Sequence, residues 1–132
     1  MRQNKRQQRQ ELMEALYQYD FYEQNKYKLT EILEFNEHKE LFFDIIAVYE
    51  ELNKVIESSL TNYTLNRLSM VDRAILRLAT YEMKYADLAK EIAINEALEL
   101  TKSFTNLDDN KQVKFNNKVL DTIAHKLGLW DI

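Results

Sequence analysis

The chain has no cysteine, no proline and a single glycine, Gly128, among its 132 residues. Without cysteine there is no disulfide framework, no thiolate metal site and no thiol nucleophile. One glycine rules out a Gly-rich phosphate loop of either the Walker or the dinucleotide type, because both need turns that only glycine adopts cheaply. Long hydrophobic runs are missing too. The longest, residues 41–48, is broken by Asp44 and falls well short of the roughly 20 apolar residues that span a bilayer. The first ten residues carry four cations with no apolar segment behind them, which argues against a secretory signal. These exclusions leave an all-α, soluble, cytoplasmic chain, with one domain over residues 1–132.

The charge is unevenly placed. Residues 1–10 hold Arg2, Lys5, Arg6 and Arg9 with four glutamines, one asparagine and no acid. The other 122 residues carry 14 cations against 22 acids, a net −8. A basic arm on an acidic body suits a chain that meets nucleic acid with one end, although a short charge run is equally often a solvated terminus. Glutamine and asparagine in the gaps can hydrogen-bond phosphate, sugar and base edges.

With neither proline nor internal glycine, helix ends have to be read from caps and lost periodicity. The spacing of Leu12, Leu16 and Tyr19 predicts a first helix from the arm to about Glu23, and Thr30 is placed to cap a short second one. Leu41, Ile45, Val48, Leu52 and Val55 predict one long helix over residues 38–60. Ser69, with Asp72 three residues on, opens the strongest helix. Its stripe runs through Val71, Ile75 and Leu78, with Arg73, Arg77 and Lys84 expected on a polar face. Glu82 continues the apolar stripe, so its carboxylate needs a partner. A helix over residues 91–104 follows, then a turn at residues 106–110. A last helix over residues 111–127 turns Asn116, Val119, Leu120, Ile123 and Leu127 inward and ends on a left-handed Gly128 cap. The expectation is a compact bundle of six or seven helices.

Catalytic constellations are lacking. His38 and His125 are far apart and have no partner at metal or general-base spacing. The pairs Glu50/Glu51 and Asp108/Asp109 are chain neighbours, which point about 100° apart on a helix. No enzyme, no metal site and no cofactor is therefore expected. Phe104 and Phe115 flank the loop that holds Lys111 and Lys114. Such a pairing can stack unpaired bases while the cations hold phosphates, or the two rings can simply close the last two helices as core.

Three ordered blocks carry a resemblance: RLSMVDRAILRLATYEM at residues 67–83, INEALELTKSF at 94–104 and FNNKVLD at 115–121. With Arg9 and the Ala15-Leu16-Tyr17 signature, they resemble the NusB family of bacterial transcription antitermination and ribosomal RNA biogenesis factors. The resemblance implies two packed three-helix subdomains. It also implies binding of boxA-type RNA jointly with NusE, a small-subunit ribosomal protein, within the RNA polymerase antitermination complex. By position, it assigns RNA contact to the arm (Arg2, Lys5, Arg6, Arg9), to Tyr17, and to Phe104, Asp109, Lys111, Lys114 and Phe115. Asp72 and Glu82 match acidic positions at or near the NusE interface, while for Glu82 a salt bridge to a residue such as Arg67 is an equal alternative. Where the family has V-N-G, this chain has Asn116-Asn117-Lys118; Lys118 then either alters packing or adds a phosphate contact.

Two other readings stay open at this level. The chain is also similar to the N-terminal RNA-recognition module of ribosomal RNA cytosine methyltransferases, though it carries neither their cofactor loop nor a cysteine nucleophile. It could also be a helix bundle that binds only protein. A homodimer is left open.

Overall fold

The computed structural model describes residues 5–25, 38–106 and 109–129. Arg2 and the short helix expected from Thr30 lie outside them. The described residues form six α-helices, one 3₁₀ turn and no strand. The helices are α1 (Lys5–Asn25), α2 (Lys39–Ala47), α3 (Tyr49–Ser58), α4 (Met70–Tyr85), α5 (Lys90–Phe104) and α6 (Lys111–Lys126), with the 3₁₀ turn at Leu65–Arg67.

The bundle is built around α4. Every residue from Asp72 to Thr80 is buried, and a helix buried all round has to be enclosed by neighbours. Helices α1, α3, α5 and α6 supply that enclosure. Leu12, Met13, Ala15 and Leu16 of α1 present the facing apolar stripe, and Leu52 and Ile56 of α3 and Leu120, Ile123 and Ala124 of α6 close the core.

Enclosure overturns the expected polar face of α4 at Arg73 and Arg77, while Lys84 is exposed as expected. Arg73 and Arg77 are only 7% and 3% exposed. Both donate through Nη1 to Oδ2 of the buried Asp20 of α1, at 3.1 and 3.0 Å. Arg73 also donates to the carbonyls of Leu68 and Asn66, and Arg77 to Asn53. The Arg77 guanidinium lies 4.4 Å from the centre of the Tyr49 ring, and burial pushes that phenol up.

The helix expected over residues 38–60 is two helices. Val48, at φ −114° and ψ 19°, separates α2 from α3. Its N–H donates to the Ile45 carbonyl three residues back, a tightened turn of the kind that ends helices. The break falls beside Tyr49, whose ring meets Tyr19 edge-on at 4.9 Å.

Both read caps are present. The Ser69 hydroxyl accepts from the Asp72 N–H at 3.1 Å. Gly128 takes φ +76°, while its N–H reaches the His125 carbonyl and that of Leu129 reaches Ala124. That bond pattern is the Schellman motif.

Candidate nucleic-acid interface

A buried polar network sets the position of α6. Asn116, fully buried, donates from Nδ2 to Oδ1 of Asp72 on α4 at 3.0 Å and to the Thr101 hydroxyl on α5 at 3.1 Å. Its Oδ1 accepts from Gln112 at 3.1 Å. The other Asp72 oxygen accepts from Ser69 at 2.6 Å. Each named group is satisfied, as an interior network requires. Asp72, 4% exposed, thus points into the junction of three helices rather than at the surface.

With α6 fixed in this way, Lys111, Lys114 and Lys118 stand exposed along one side of it. Their spacing of three and four residues makes them neighbours on a helix, and they form no ion pair with any described residue. Lys118, which stands where the family has glycine, carries its side chain on the exposed side of α6. The first turn of α6 contains no acid, and neither does that of α1, whereas those of α2, α3, α4 and α5 each hold at least one. A cation in the first turn opposes the helix dipole by about 0.3–1 kcal/mol. The two helices that depart from the favourable pattern are those that carry the cations singled out in the sequence.

Aromatic rings border this stripe. Phe104, at the last position of α5, is 42% exposed. Phe115 is half-buried and meets Tyr63 edge-on, with ring centres 5.5 Å apart. Tyr63 itself is half exposed, in the segment between α3 and the 3₁₀ turn. The turn before α6 holds Asp109 and Asn110 in the left-handed region, at φ 40° and 61°, and Asn106 donates to the Asn110 side chain at 3.1 Å. Asp109 is exposed there.

The described part of the basic arm, from Lys5 on, forms the start of α1, and Arg6 and Arg9 are both paired there. The Nε of Arg6 lies 3.2 Å from Glu96 of α5, with the Arg6 side chain 66% exposed. The Nε of Arg9 donates to Glu82 of α4 at 2.8 Å, and these side chains are only 11% and 15% exposed. Arg9, rather than Arg67, is therefore the partner of Glu82. Burial raises the Glu82 carboxyl and the Arg9 guanidinium pulls it back. A cavity of about 150 Å³ lies beside this pair, bordered also by Lys5. Lys5 is exposed, and Tyr17, 37% exposed, stands two turns on from Arg9 with Phe21 one turn further. A larger cleft of about 750 Å³ opens over the Asp20–Arg73–Arg77 cluster, and none of the candidate RNA-contact or partner-interface residues lines it.

Comparison with known proteins bears on this geometry. Residues 6–125 match the model of the NusB family. The chain is 41% identical over 90 residues to the transcription antitermination protein NusB of Geobacillus kaustophilus, covering 67% of each chain. It is 43% identical over 86 residues to that of Bacillus subtilis, covering 64% of this chain and 63% of the relative. The first relatives are thus matched over about two-thirds of their length. A solved structure of T. maritima NusB superimposes with a TM-score of 0.78 at 31% identity, covering the whole of both chains. The blocks around Arg73, Thr101 and Asn116 that build the α4–α5–α6 junction all fall inside the family match, and on these grounds the chain belongs to the NusB family.

Proposed function

We propose that this chain is a non-enzymatic RNA-binding adaptor of transcription antitermination, acting in the cytoplasm. It captures a boxA-type single-stranded RNA together with NusE and holds it within the RNA polymerase antitermination complex. The observation that carries this reading is the run of three exposed lysines on α6, unpaired among the described residues and flanking Phe115, with Phe104 exposed at the end of α5, on a chain of net charge −4. Cations hold phosphates and exposed rings stack unpaired bases, while the acidic remainder repels RNA and suits a basic protein. Glu82 and Asp72 serve the assembly from within, by fixing α1 and α6 on α4. That the relatives are named transcription antitermination proteins supports the same reading.

The test is fluorescence-anisotropy titration of a boxA-like RNA oligonucleotide against a scrambled control, with and without NusE, at several salt concentrations. The expected result is sequence-selective binding that tightens with NusE. Three lysines on three phosphates give log affinity a slope against log salt of about −2, from roughly −0.7 per contact on a single strand. Equal, weak binding to both RNAs with no help from NusE would overturn the proposal.

A further inference from the structure

We infer that Tyr63 is a stacking platform for one unpaired RNA base, with Lys111 and Lys118 holding the phosphates on either side of it. The inference rests on the RNA-binding reading above and adds a residue that sequence reasoning passed over.

Three observations support it. The Tyr63 and Phe115 rings meet in a T-shape, with an interplanar angle of 83°, and Tyr63 remains half exposed. A T-shaped contact covers at most one face of either ring, so at least one face of Tyr63 is left clear of Phe115. Lys111 and Lys118 precede and follow Phe115 by four and three residues, which makes them its neighbours on the helix surface, and neither pairs with a described acid. The loop carrying Tyr63 is also held in place. Asn62 takes a left-handed φ of 67°, and Thr64 donates to the Asn66 side chain at 2.6 Å. The N–H of Leu65 reaches Glu57 at 3.3 Å, and the Leu65 side chain is buried. A ring held this way needs little ordering when a base lands on it. Stacking on an aromatic face is tolerant of base identity, so Tyr63 contributes affinity more than sequence choice.

The experiment uses the full chain with NusE and the boxA-like RNA, carrying 2-aminopurine at each position in turn. Tyr63→Ala is expected to weaken binding about 5- to 150-fold, the range of one lost base–aromatic stack. The salt slope should stay unchanged, because no charge is removed. One 2-aminopurine position quenched by the wild type should brighten in the variant. Tyr63→Trp should keep both affinity and quenching. Tyr63→Leu keeps apolar bulk against Phe115 and should still lose the quenching, which separates stacking from packing. Lys111→Ala with Lys118→Ala should instead flatten the slope by about 1.4, twice the single-strand increment. Wild-type affinity and quenching in Tyr63→Leu would overturn the inference and leave the RNA-binding reading intact. Absence of selective RNA binding by the wild type would overturn both.

Discussion

Asn116→Asp replaces the amide that ties α6 to α4 and α5 with a carboxylate of the same shape, and the structure sets the magnitude of its effect. The amide nitrogen lies 3.0 Å from a carboxylate oxygen of Asp72, within a fully buried site. Exchanging that donor for an anion sets two like charges in contact, where repulsion at about 3 Å and an effective dielectric near 20 is about 5.5 kcal/mol. The folded chain can escape by protonating the new carboxyl, which then donates to Asp72. Holding a proton at pH 7 on a group of ordinary pKa near 3.9 costs about 4 kcal/mol, at 1.36 kcal/mol per pH unit. The bond to Thr101 is lost in addition, at about 1 kcal/mol. The new carboxyl has its folded pKa raised above the unfolded value. Its favourable share of stability is therefore present below the unfolded value and disappears as pH rises through the folded one. The gap in unfolding free energy between wild type and variant should be about 5 kcal/mol at pH 7 and about 2.5 at pH 5, by the same arithmetic. Urea denaturation followed by circular dichroism at the two pH values measures it. Asn116→Leu, which removes the hydrogen bonds and adds no charge, should show a gap that does not change with pH. A gap for Asn116→Asp below about 1 kcal/mol, or one equal at both pH values, would refute the placement of Asn116 against Asp72.

Asp20→Ala should cost about 3–5 kcal/mol, because it strands two buried guanidiniums, while Asp20→Asn, which keeps an acceptor, should cost less; urea midpoints with unchanged slope measure both. Glu82 binds its proton more tightly folded than unfolded, since burial raises its carboxyl. Its contribution is greatest below the ordinary carboxylate pKa and is lost as pH rises through the raised value. Glu82→Gln should therefore gain stability relative to wild type on going from pH 4 to pH 7, and a difference that is constant across that range would contradict the burial of the pair. Phe104→Ala removes a ring that is 42% exposed and should shift the urea midpoint little while weakening RNA binding several-fold; a large midpoint change with unaltered RNA affinity would assign the ring to packing alone.

Features that repeat or terminate within one element could be read directly. The Ser69–Asp72 cap, the Gly128 terminus and the inward face of α6 at Asn116, Val119, Leu120 and Ile123 are all local patterns of spacing and residue type, and all are present. Partners drawn from distant elements could not be read this way. Glu82 was visible as a carboxylate in need of a cation, but Arg9 lies 73 residues away, and only the packing of α1 on α4 selects it over Arg67. Asp20 gave no signal at all: in α1 it is one polar residue among several, and burial beside two arginines 53 and 57 residues on makes it a core residue. The break at Val48 was equally silent, because valine fits either side of it and neither glycine nor proline marks the spot. Tyr63 lay in a loop, where sequence has no period to report which way a ring faces.

The same distinction changes how the cations are counted. Sequence counts formal charges and so favours the arm, with four in ten residues. Structure counts the charges left after internal pairing: among the described residues Lys5, Lys39, Lys54 and Arg67 are left singly on separate elements, whereas Lys111, Lys114 and Lys118 are left together on one side of α6. Arg6, largely exposed, can exchange Glu96 for a phosphate at little expense, since a pair in solvent is worth under about 1 kcal/mol. Arg9 cannot do so freely, because leaving Glu82 unpaired in a site it shares with Leu12, Leu41 and Ile45 incurs the penalty of an uncompensated buried charge. RNA would therefore meet Lys111, Lys114 and Lys118 as an open surface and the arm as a partly closed one, with Arg9 acting to anchor α1 to α4. On this reasoning Arg9→Ala should lower stability more than RNA affinity, and Lys114→Ala should do the reverse. Paired urea and anisotropy measurements on the two variants would decide it, and the opposite ranking would return the main RNA contact to the arm.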